Sequence, residues 1–275
     1  MVALEKGERR GGKTLSSGTD IVGDVAIVKI PLDLTKRDKE RFAKKLKRKN
    51  RSVRAVYNKI GKLEGEERKP KLVQIFGSGD SLVLHKENGC LFYVDVKKVF
   101  FSPRLGSERL RIIKKINKTE TVLDMFCGVG PFSIPIAKRC RQVCSIDINS
   151  AAINLLKRNI EANKVNNIEY FCGDAKRIVP KLGKHFDRII MNLPTDSLRF
   201  LQIAAKAGER QHVIHFYTFV YIKNGYEEAV RQKKDDIKRT LGNRVKLISA
   251  EFHKAGEVAP YMLRGCFDLR IKNSV

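Results

Sequence analysis

Two glycines and three aspartates are spaced so that together they could hold a nucleoside-type ligand. An apolar run continues into DMFCGVGPF, in which Gly128 and Gly130 allow a tight turn and a close approach of the backbone to a ligand. The next apolar run ends at Asp147, 17 residues after Gly130, where a carboxylate can accept hydrogen bonds from both hydroxyls of a ribose. Asp124 and Asp174 close the first and third runs. The alternative is that all three aspartates only cap the ends of strands.

The glycine loop departs from the pattern of dinucleotide-binding proteins. Such loops follow G-x-G-x-x-G, but Ser133 stands at the third glycine position and Pro131 intervenes. The departure disfavours NAD or FAD as the ligand. The carboxylate of Asp147 also disfavours a ligand with a 2′-phosphate.

A fourth apolar run ends in Asn192-Leu193-Pro194. Asn and Pro are frequent turn formers, so a plain turn at the end of a strand is one interpretation. A reacting site is the other interpretation, because ligands of open α/β sheets bind beyond the carboxyl ends of the strands.

The elements that must position these residues are parallel strands, and the sequence from residue 119 to 275 has the matching pattern. Apolar runs alternate with helices, as in an α/β doubly wound sheet whose strands are buried on both faces. The predicted strands are 121–126, 142–148, 168–174, 186–192 and 212–219, followed by a closing strand pair at 244–256 and 261–272. The predicted helices are 131–140, 150–164 and 196–207.

The preceding residues predict a small basic α+β domain at 19–100, between a flexible tail at 1–18 and a linker helix at 101–118. A strand is predicted at 20–31, and then a helical region at 33–61, rich in Lys and Arg and capped by Asp33 or Thr35. Further strands are predicted at 71–77, 81–87 and 90–96, the last two joined by Asn88-Gly89, a strong two-residue hairpin motif.

The net charge indicates a polyanionic partner. Lys and Arg number 56 against 30 Asp and Glu, which leaves a formal charge of +26. So many like charges on one folded body repel one another unless a polyanion neutralises them, and nucleic acid is the first candidate. A generally Lys-rich proteome or a basic patch for anionic lipid are the alternatives. Because the sequence has no amphipathic anchor, lipidation motif or long apolar segment, we expect no membrane partner.

The six cysteines form no C-x-x-C pair, and no His stands at a zinc-binding spacing from them, so no metal site is predicted. The N-terminal sequence lacks the pattern of a signal peptide, and we therefore expect a reducing, cytoplasmic compartment. We expect the protein to act as a monomer.

The order of these motifs resembles the class I (Rossmann-like) S-adenosylmethionine-dependent methyltransferases. The loop DMFCGVGPF, an acidic residue ending the second strand and CGD closing the third follow one another in that order. The resemblance implies S-adenosyl-L-methionine as the cofactor, with Asp147 on the ribose hydroxyls and Asp174 beside the adenine. The implied cofactor-binding set also includes Asp124, Phe126, Gly128, Gly130, Ile148, Ala175 and Asn192.

A narrower resemblance covers residues 19–272. The segments HKENG, FFSPRLGSER, DMFCGVGPF and MNLP occur in the order typical of the archaeal and eukaryotic tRNA guanine-37 N1-methyltransferase family. The resemblance implies methyl transfer to N1 of guanine 37 in tRNA, with the anticodon stem-loop as the bound partner. Members usually carry a further small N-terminal domain that contacts the tRNA elbow, and we expect residues 1–18 to be too few to form it.

The resemblance also assigns catalytic roles. N1 of guanine carries a proton at neutral pH, so a base must remove it before the nitrogen can attack a methyl group, and a cation can stabilise the charge on O6. By motif position the base is Glu108 and the cation is Arg68. Asn192 and Pro194 belong to the corner that would hold the edge of the base or the cofactor.

Binding roles follow in the same way. Arg104 and Arg109 would line the cofactor and the anticodon loop, and Phe100 would lie near the target base. Each has an ordinary alternative: Glu108 and Arg109 as a solvated pair in a first helical turn, Arg68 as a solvated loop residue, and Phe100 as a core residue. The basic helical region would contact phosphates through Lys44, Lys47 and Arg48.

Other activities fit parts of the sequence. One is C-methylation of a tricyclic wyosine-type base at the same tRNA position, instead of or in addition to N1-methylation. Transfer of the aminocarboxypropyl arm of the cofactor is disfavoured, because MNLP resembles the methylating branch. An RNA-binding protein with a degenerate methyltransferase fold would not need the full set of glycines and aspartates. A small-molecule methyltransferase would leave the charge of +26 unexplained.

Overall fold

The computed structural model describes residues 9–10, 13–14, 18–61, 63–243 and 245–273. The chain divides into two compact units, Met1–Arg104 and Leu105–Val275, and the boundary falls inside the predicted linker at residues 101–118. Most of the predicted tail at residues 1–18 lies outside the described residues. Its described part includes strands β1 (Arg9–Arg10) and β2 (Lys13–Thr14), which pair antiparallel.

The first unit contains a four-stranded sheet and a separate hairpin. The sheet has the order β3 (Thr19–Val22), β4 (Val25–Val28), β5 (Ala55–Lys59), β6 (Leu72–Gly77), and the hairpin consists of β7 (Leu82–Glu87) and β8 (Cys90–Asp95). Helix α1 (Lys36–Lys49) connects the parallel strands β4 and β5, and its Ala43 and Leu46 pack into the core beneath the sheet.

Two sequence predictions for this unit are wrong in part. Residues 20–31 form two strands rather than one, because the chain turns at Gly23-Asp24, where Gly23 has a φ of +57°. The helical region also ends earlier than predicted, at Lys49. Residues Ala55–Lys59 form strand β5 because the buried Val56 and Tyr57 pair between β4 and β6, and this tertiary pairing overrides the helical pattern.

Two local predictions are confirmed. The hydroxyl of Thr35 accepts a hydrogen bond from the backbone N–H of Asp38 at 3.1 Å and caps α1. Asn88 and Gly89, with φ values of +48° and +72°, form the two-residue turn between β7 and β8.

The second unit is built on a seven-stranded sheet of order β11-β10-β9-β12-β13-β15-β14. Neighbours from β11 to β13 are parallel, and β15 and β14 add antiparallel pairs. The strands are β9 (Thr121–Asp124), β10 (Gln142–Asp147), β11 (Ile168–Cys172), β12 (Phe186–Met191), β13 (Gly208–Tyr221), β14 (Val245–Ala259) and β15 (Met262–Asn273). The predicted doubly wound α/β sheet with a closing strand pair is confirmed.

Six α-helices accompany this sheet in the described part of the second unit. They are α2 (Gly106–Ile113), α3 (Ser133–Ala137), α4 (Ser150–Ala162), α5 (Ala175–Ile178), α6 (Leu198–Ala207) and α7 (Tyr226–Leu241). Short 3₁₀ turns occupy Pro103–Leu105 and Val179–Lys181. Helix α7 was not predicted, because it is rich in charge and has few apolar residues; it fully buries only Ile237 and Leu241. No described helix has the length and apolar character needed to cross a membrane.

Alternate residues of the central strands enter two separate cores. Leu123, Ile189 and Phe216 pack in one cluster with residues of α5, α6 and α7. Their neighbours in sequence, among them Ile190 and Tyr217, pack in the other cluster with residues of α2 and α3. Both faces of the sheet are therefore covered, and Tyr217 points to the face that α2 covers.

Candidate functional site

The two glycines of the loop after β9 both have positive φ, but the space around them differs. A Cβ on Gly130, at φ +89°, would lie 2.5 Å from Leu156 Cδ1 and 2.9 Å from Ile134 Cγ1, so this glycine is needed for packing. A Cβ on Gly128, at φ +54°, would meet no atom within 4 Å. The loop thus has open space beside Gly128, where a ligand can approach the backbone.

Asp147 fastens this loop to the end of the next strand. Its Oδ2 accepts a hydrogen bond from the N–H of Gly128 at 2.7 Å, and its Oδ1 accepts one from the N–H of Asn149 at 2.9 Å. The side chain is half-buried, and each carboxylate oxygen has a second lone pair. The carboxylate is therefore held in a fixed orientation at this edge of the sheet.

Asp124 is completely buried at the end of β9. Its Oδ2 accepts from the hydroxyl of Ser133 at 2.7 Å, and that hydroxyl accepts from Ser145 at 2.9 Å. Oδ1 has no hydrogen-bond partner within the described structure. Burial raises the pKa of Asp124 to about 7, although hydrogen bonds from Ser133 and the backbone of Phe126 oppose the increase.

The remaining cofactor candidates lie around the ends of β9, β10 and β11. Asp174 caps α5 by accepting a hydrogen bond from the N–H of Lys176 at 2.9 Å, as the capping interpretation proposes, and its side chain is half-buried. Ala175 is buried in α5, and Ile148 is half-buried after β10. Phe126 packs edge-on against Phe200, with ring centroids 4.9 Å apart.

Asn192-Leu193-Pro194 follows β12 at the topological switch point between β9 and β12, and a turn begins at Leu193, whose carbonyl accepts from the N–H of Asp196 at 3.1 Å. Ile190 pairs with Asp124 across the two strands, so Asn192 lies just beyond the end of β9. The hydroxyl of Ser197 donates to the carbonyl of Leu193 at 2.6 Å and also contacts the carbonyl of Tyr217. The tripeptide therefore leads into a turn, as one interpretation predicts, and it lies at the edge where ligands of such sheets bind. Its role as a reacting site stays a prediction.

Glu108 lies in the first turn of α2 and is only 7% exposed. Both of its carboxylate oxygens accept from Arg111, at 2.8 and 2.7 Å, and Oε1 also accepts from the hydroxyl of Tyr217 at 3.0 Å. Arg109 is 1% exposed. Neither residue belongs to a solvated surface pair.

The predicted site residues of the first unit are described within that unit. Arg68 is half-buried in a turn closed by Glu64 and Lys69, and it has a φ of +54°, which is unusual for a residue other than glycine. Arg104 pairs through its Nε with the carboxylate of Asp20. Lys44, Lys47 and Arg48 are all exposed on α1.

The two adjacent phenylalanines of this unit have different surroundings. Phe101 packs against His85, with ring centroids 5.0 Å apart, and against Phe92 at 6.2 Å. Phe100 is 36% exposed. Phe101 is therefore the packing residue of the pair, and Phe100 offers an exposed ring.

A sequence model of the TRM5/TYW2 methyltransferase domain matches residues 83–247, which is more than half of the chain. The chain belongs to the TRM5/TYW2 methyltransferase family. A model of the TYW2 N-terminal domain matches residues 5–81. The family resemblance predicted from the motifs is confirmed.

Curated TRM5/TYW2 relatives are named for several different reactions at tRNA position 37. The chain is 43% identical over 205 residues to the tRNA (guanine(37)-N(1))-methyltransferase Trm5b of Pyrococcus abyssi, covering 74% of this chain and 61% of that protein. It is 32% identical over 214 residues to the tRNA 4-demethylwyosine(37)-methyltransferase Taw21 of Saccharolobus solfataricus, covering 77% and 81%. The chain spans less than two thirds of the Trm5b proteins of P. abyssi and Methanocaldococcus jannaschii.

Solved structures of TRM5/TYW2 proteins share the fold. The crystal structure of Trm5b from P. abyssi matches with a TM-score of 0.80 and 36% identity, over 94% of this chain and 76% of that one. The complex of aTrm5 and tRNALeu matches with a TM-score of 0.78 and 32% identity, over 94% of this chain and 73% of that one. M. jannaschii TYW2 in complex with AdoMet matches with a TM-score of 0.68 and 25% identity, over 94% of this chain and 100% of that one. The predicted class I fold is confirmed.

The residues around Glu108 were not predicted from the sequence: Arg111 and Tyr217 bind it directly, and Asp268 binds Arg111. Arg111 is three residues further along α2, a spacing that places two helical side chains on the same face, so it could have been found. Asp268 is an acidic residue inside an apolar run of β15, which is a weaker indication. Tyr217 lies in a strand rich in aromatic residues, and nothing in the local sequence distinguishes it.

Proposed function

We propose that the protein transfers a methyl group from S-adenosyl-L-methionine to N1 of guanine 37 in tRNA. The observation that carries the proposal is the position of Glu108, a nearly buried carboxylate bound to Tyr217. Met191 pairs with Phe216, so Asn192 and Tyr217 follow at the same level of the sheet edge, next to the end of β9. A candidate base and a candidate cofactor loop thus belong to one edge. Family membership and the Trm5b relatives support the same reaction.

The residues of this edge fit the cofactor. The space beside Gly128 admits a ligand, and the fixed carboxylate of Asp147 suits a ribose diol. When bound, the cofactor supplies a methyl group on a sulfonium, which is already activated for transfer, so the protein needs only to orient the two reactants. We assign cofactor binding to Arg104, Arg109, Asp124, Phe126, Gly128, Gly130, Asp147, Ile148, Asp174, Ala175 and Asn192.

In this proposal Glu108 takes the proton of N1 as the methyl group is transferred. A base of this kind must lie within hydrogen-bond distance of the proton. The low exposure of Glu108 also limits its contact with bulk water. Asn192 and Pro194 hold the edge of the base at the corner that Ser197 fixes.

Arg68 is proposed to stabilise the negative charge that develops on O6 of guanine. Its left-handed backbone conformation supports a functional role, because strained residues persist where the surrounding structure holds them and are frequent at active sites. Phe100 offers its exposed ring to the target base, and the tRNA phosphates are assigned to Lys44, Lys47 and Arg48 of α1.

A second candidate is C-methylation of a wyosine-type base at position 37. Two observations favour it: the chain covers 81% of the Taw21 relative, and its first 81 residues include the match to the TYW2 N-terminal domain. Both reactions would use the same cofactor loop, so the two candidates are distinguished by which tRNA substrate the protein methylates.

Mapping the product tests the function. The full chain is incubated with methyl-labelled cofactor and matched tRNA transcripts that differ only in carrying G or A at position 37, and the product is located by mass spectrometry. We expect label on N1 of guanine 37 and none on the A37 transcript. Equal labelling of both transcripts would overturn the proposal. Label appearing only on a tRNA that carries 4-demethylwyosine would establish the second candidate instead.

Replacing the base tests the mechanism. Glu108→Gln is expected to keep cofactor binding and to lower the methylation rate by a factor of roughly 10² to 10⁴, the range that general base catalysis contributes. The matched control is Glu228→Gln, at an exposed ion pair with Arg231 on α7, which should leave the rate unchanged. An unchanged rate in Glu108→Gln would remove Glu108 as the base.

A further inference from the structure

A chain of polar side chains extends from Glu108 into the core of the second unit. The hydroxyl of Tyr217 donates to Glu108 at 3.0 Å. Arg111 donates to both oxygens of Glu108 through Nε and Nη2, and to both oxygens of Asp268 through Nη1 and the same Nη2, at 2.7 and 3.1 Å. His215 Nδ1 lies 2.7 Å from Asp268 Oδ1. The guanidinium of Arg111 is therefore shared between two carboxylates.

The chain continues to the other end of the strands. Nη1 of Arg188 lies 2.7 Å from Nε2 of His215, and the same guanidinium binds both oxygens of Glu120 at 2.9 and 2.8 Å. Lys115 donates to Asp268 Oδ2 at 2.6 Å. Three carboxylates thus face three cations. The cluster is electrically neutral when His215 is neutral and so is His253, whose Nε2 lies 3.4 Å from Asp268 Oδ2. Its charged members are Glu108, Asp268, Glu120, Arg111, Lys115 and Arg188.

The neutral ring of His215 fixes which groups donate and which accept in this network. Burial lowers the pKa of His215, against the effect of Asp268, so the ring is neutral at neutral pH. A neutral ring has one donor and one acceptor nitrogen. Nδ1 must donate to Asp268, and Nε2 must accept from Arg188, because a proton on Nε2 would face the guanidinium. The nitrogen, sulfur and oxygen atoms of His215, Cys266 and Asp268 are close enough to surround a metal ion, but Arg111 and Lys115 already bind Asp268.

Tyr217 connects Glu108 to the corner at the switch point. Its hydroxyl binds Glu108, while its carbonyl accepts from Ser197, the residue that also binds Leu193. The ring is completely buried and packs on Phe132 with centroids 5.7 Å apart. One rigid residue thus links the candidate base to the turn that holds Asn192.

We propose that Tyr217 and Asp268 are positioning residues that act on Glu108 in opposite senses, Tyr217 restraining its basicity and Asp268 preserving it. The inference rests on the proposed role of Glu108 as the base. A hydrogen bond from Tyr217 stabilises the carboxylate anion, as does a bidentate arginine. The second carboxylate, Asp268, offsets part of the charge of Arg111, so Glu108 does not face an unshared cation. The Arg111 guanidinium is held between the carboxylates of Glu108 and Asp268.

The groups that face Glu108 come from three elements. Arg111 lies on its own helix α2, Tyr217 comes from β13, and Asp268 and Cys266 come from β15. Burial raises the pKa of Cys266 and of Tyr217 well above their ordinary values, so both keep their protons at neutral pH. Neither residue therefore contributes to the acid limb of the reaction. Asp124 can contribute to it, because its pKa is about 7, but it is unchanged in every variant compared, so a displacement of the limb between variants reports the surroundings of Glu108.

The test compares the pH profiles of single-turnover methylation in Tyr217→Phe and Asp268→Asn. Loss of the tyrosine hydroxyl is expected to move the acid limb to higher pH, and loss of the Asp268 charge is expected to move it to lower pH, each by about one pH unit. The control is Tyr226→Phe at an exposed ring on α7, which should not move the limb. A merely structural role would lower the rate at every pH without displacing the limb. Such a result, or displacements in the same direction, would overturn the proposal.

Two further measurements keep the test decisive. If Asp268→Asn does not fold, Lys115→Gln is used instead. Removing the Lys115 cation from Asp268 strengthens the attraction between Asp268 and Arg111, which should move the acid limb to higher pH. An unmoved limb would overturn the role of Asp268. The titration of Glu108 can also be followed without any reaction, by NMR of isotope-labelled glutamate side chains, with Glu108→Gln for assignment. If the wild type transfers no methyl group but the titration midpoints move in opposite directions, the proposed function fails and the network stands. Unmoved midpoints overturn the network whatever the activity.

Discussion

Asp124, Asp147 and Asp174 have the same side chain and similar positions in the sequence, but their surroundings separate them. Asp147 is oriented by two backbone N–H groups and is half-buried, whereas Asp174 caps a helix. Asp124 is completely buried and has one oxygen without a partner in the described structure. Among the three, Asp147 is the carboxylate best placed to bind a ligand, and Asp124 is the one whose ionisation affects folding.

The ionisation of Asp124 predicts a pH dependence of stability. Burial raises its pKa to about 7 from an ordinary value of about 3.9, so between these values the folded protein holds a proton that the unfolded chain releases. The contribution of this group to the free energy of unfolding therefore falls as pH rises through that range. Asp124→Asn should remove a dependence on the order of 1 kcal/mol per pH unit, measured by urea unfolding at several pH values. The control Asp236→Asn, at an exposed ion pair, should leave this pH dependence unchanged. If the free energy of unfolding varied equally with pH in the wild type and in Asp124→Asn, the prediction would be contradicted.

Two hairpins of the first unit show how a turn depends on its neighbours. Gly23 donates its N–H to His85 Nδ1 at 3.2 Å, and a Cβ there would lie 2.8 Å from the carbonyl oxygen of Leu84. A Cβ on Gly89, in the turn between β7 and β8, would meet no atom within 4 Å. The first turn is therefore docked on β7, and the second is sterically open.

Alanine at these two glycines should have different effects on stability. Both have positive φ, so each substitution strains the backbone and costs about 1 kcal/mol. Gly23→Ala also forces the new methyl group against the Leu84 backbone and should cost at least about 1 kcal/mol more. Urea unfolding of the two variants measures the difference. Equal destabilisation would show that the β3–β4 turn does not pack on β7 as described.

The charge of the whole molecule is concentrated in part on one helix. Nine of the 14 residues of α1 are Lys or Arg, and only Ala43 and Leu46 are fully buried. Most of this helix therefore presents positive charge to solvent. Such a surface suits phosphate groups, whose binding releases condensed counterions and weakens as the salt concentration rises.

Reversing three of these charges should change the salt dependence of tRNA binding. If Lys44, Lys47 and Arg48 each contact a phosphate, their joint replacement by Glu should reduce the slope of log K against log salt by about 3, measured by equilibrium binding at several salt concentrations. The matched control reverses Arg231, Lys238 and Arg239 on α7. An unchanged slope in the α1 variant, or the same change in both variants, would exclude α1 as the phosphate-binding helix.

The sequence by itself determined the elements whose cause is local or periodic. Buried parallel strands are continuous apolar runs, so the central sheet was predictable, and so were the Asn88-Gly89 turn and the Thr35 cap. Local patterns failed at Ala55–Lys59, where pairing with two other strands decides the structure, and at α7, whose apolar face is narrow.

The tertiary structure alone decided the surroundings of Glu108. The resemblance of its motif to the family identified it as a candidate base, but its partner Tyr217 is 109 residues away. Asp268 is 157 residues from Arg111, which joins Asp268 to Glu108. No local propensity links residues at such separations. They meet because the parallel pairing of β12 with β13 and the antiparallel pairing of β13 with β15 set the level of each residue. The two-residue alternation of a strand sends Tyr217 to the face covered by α2.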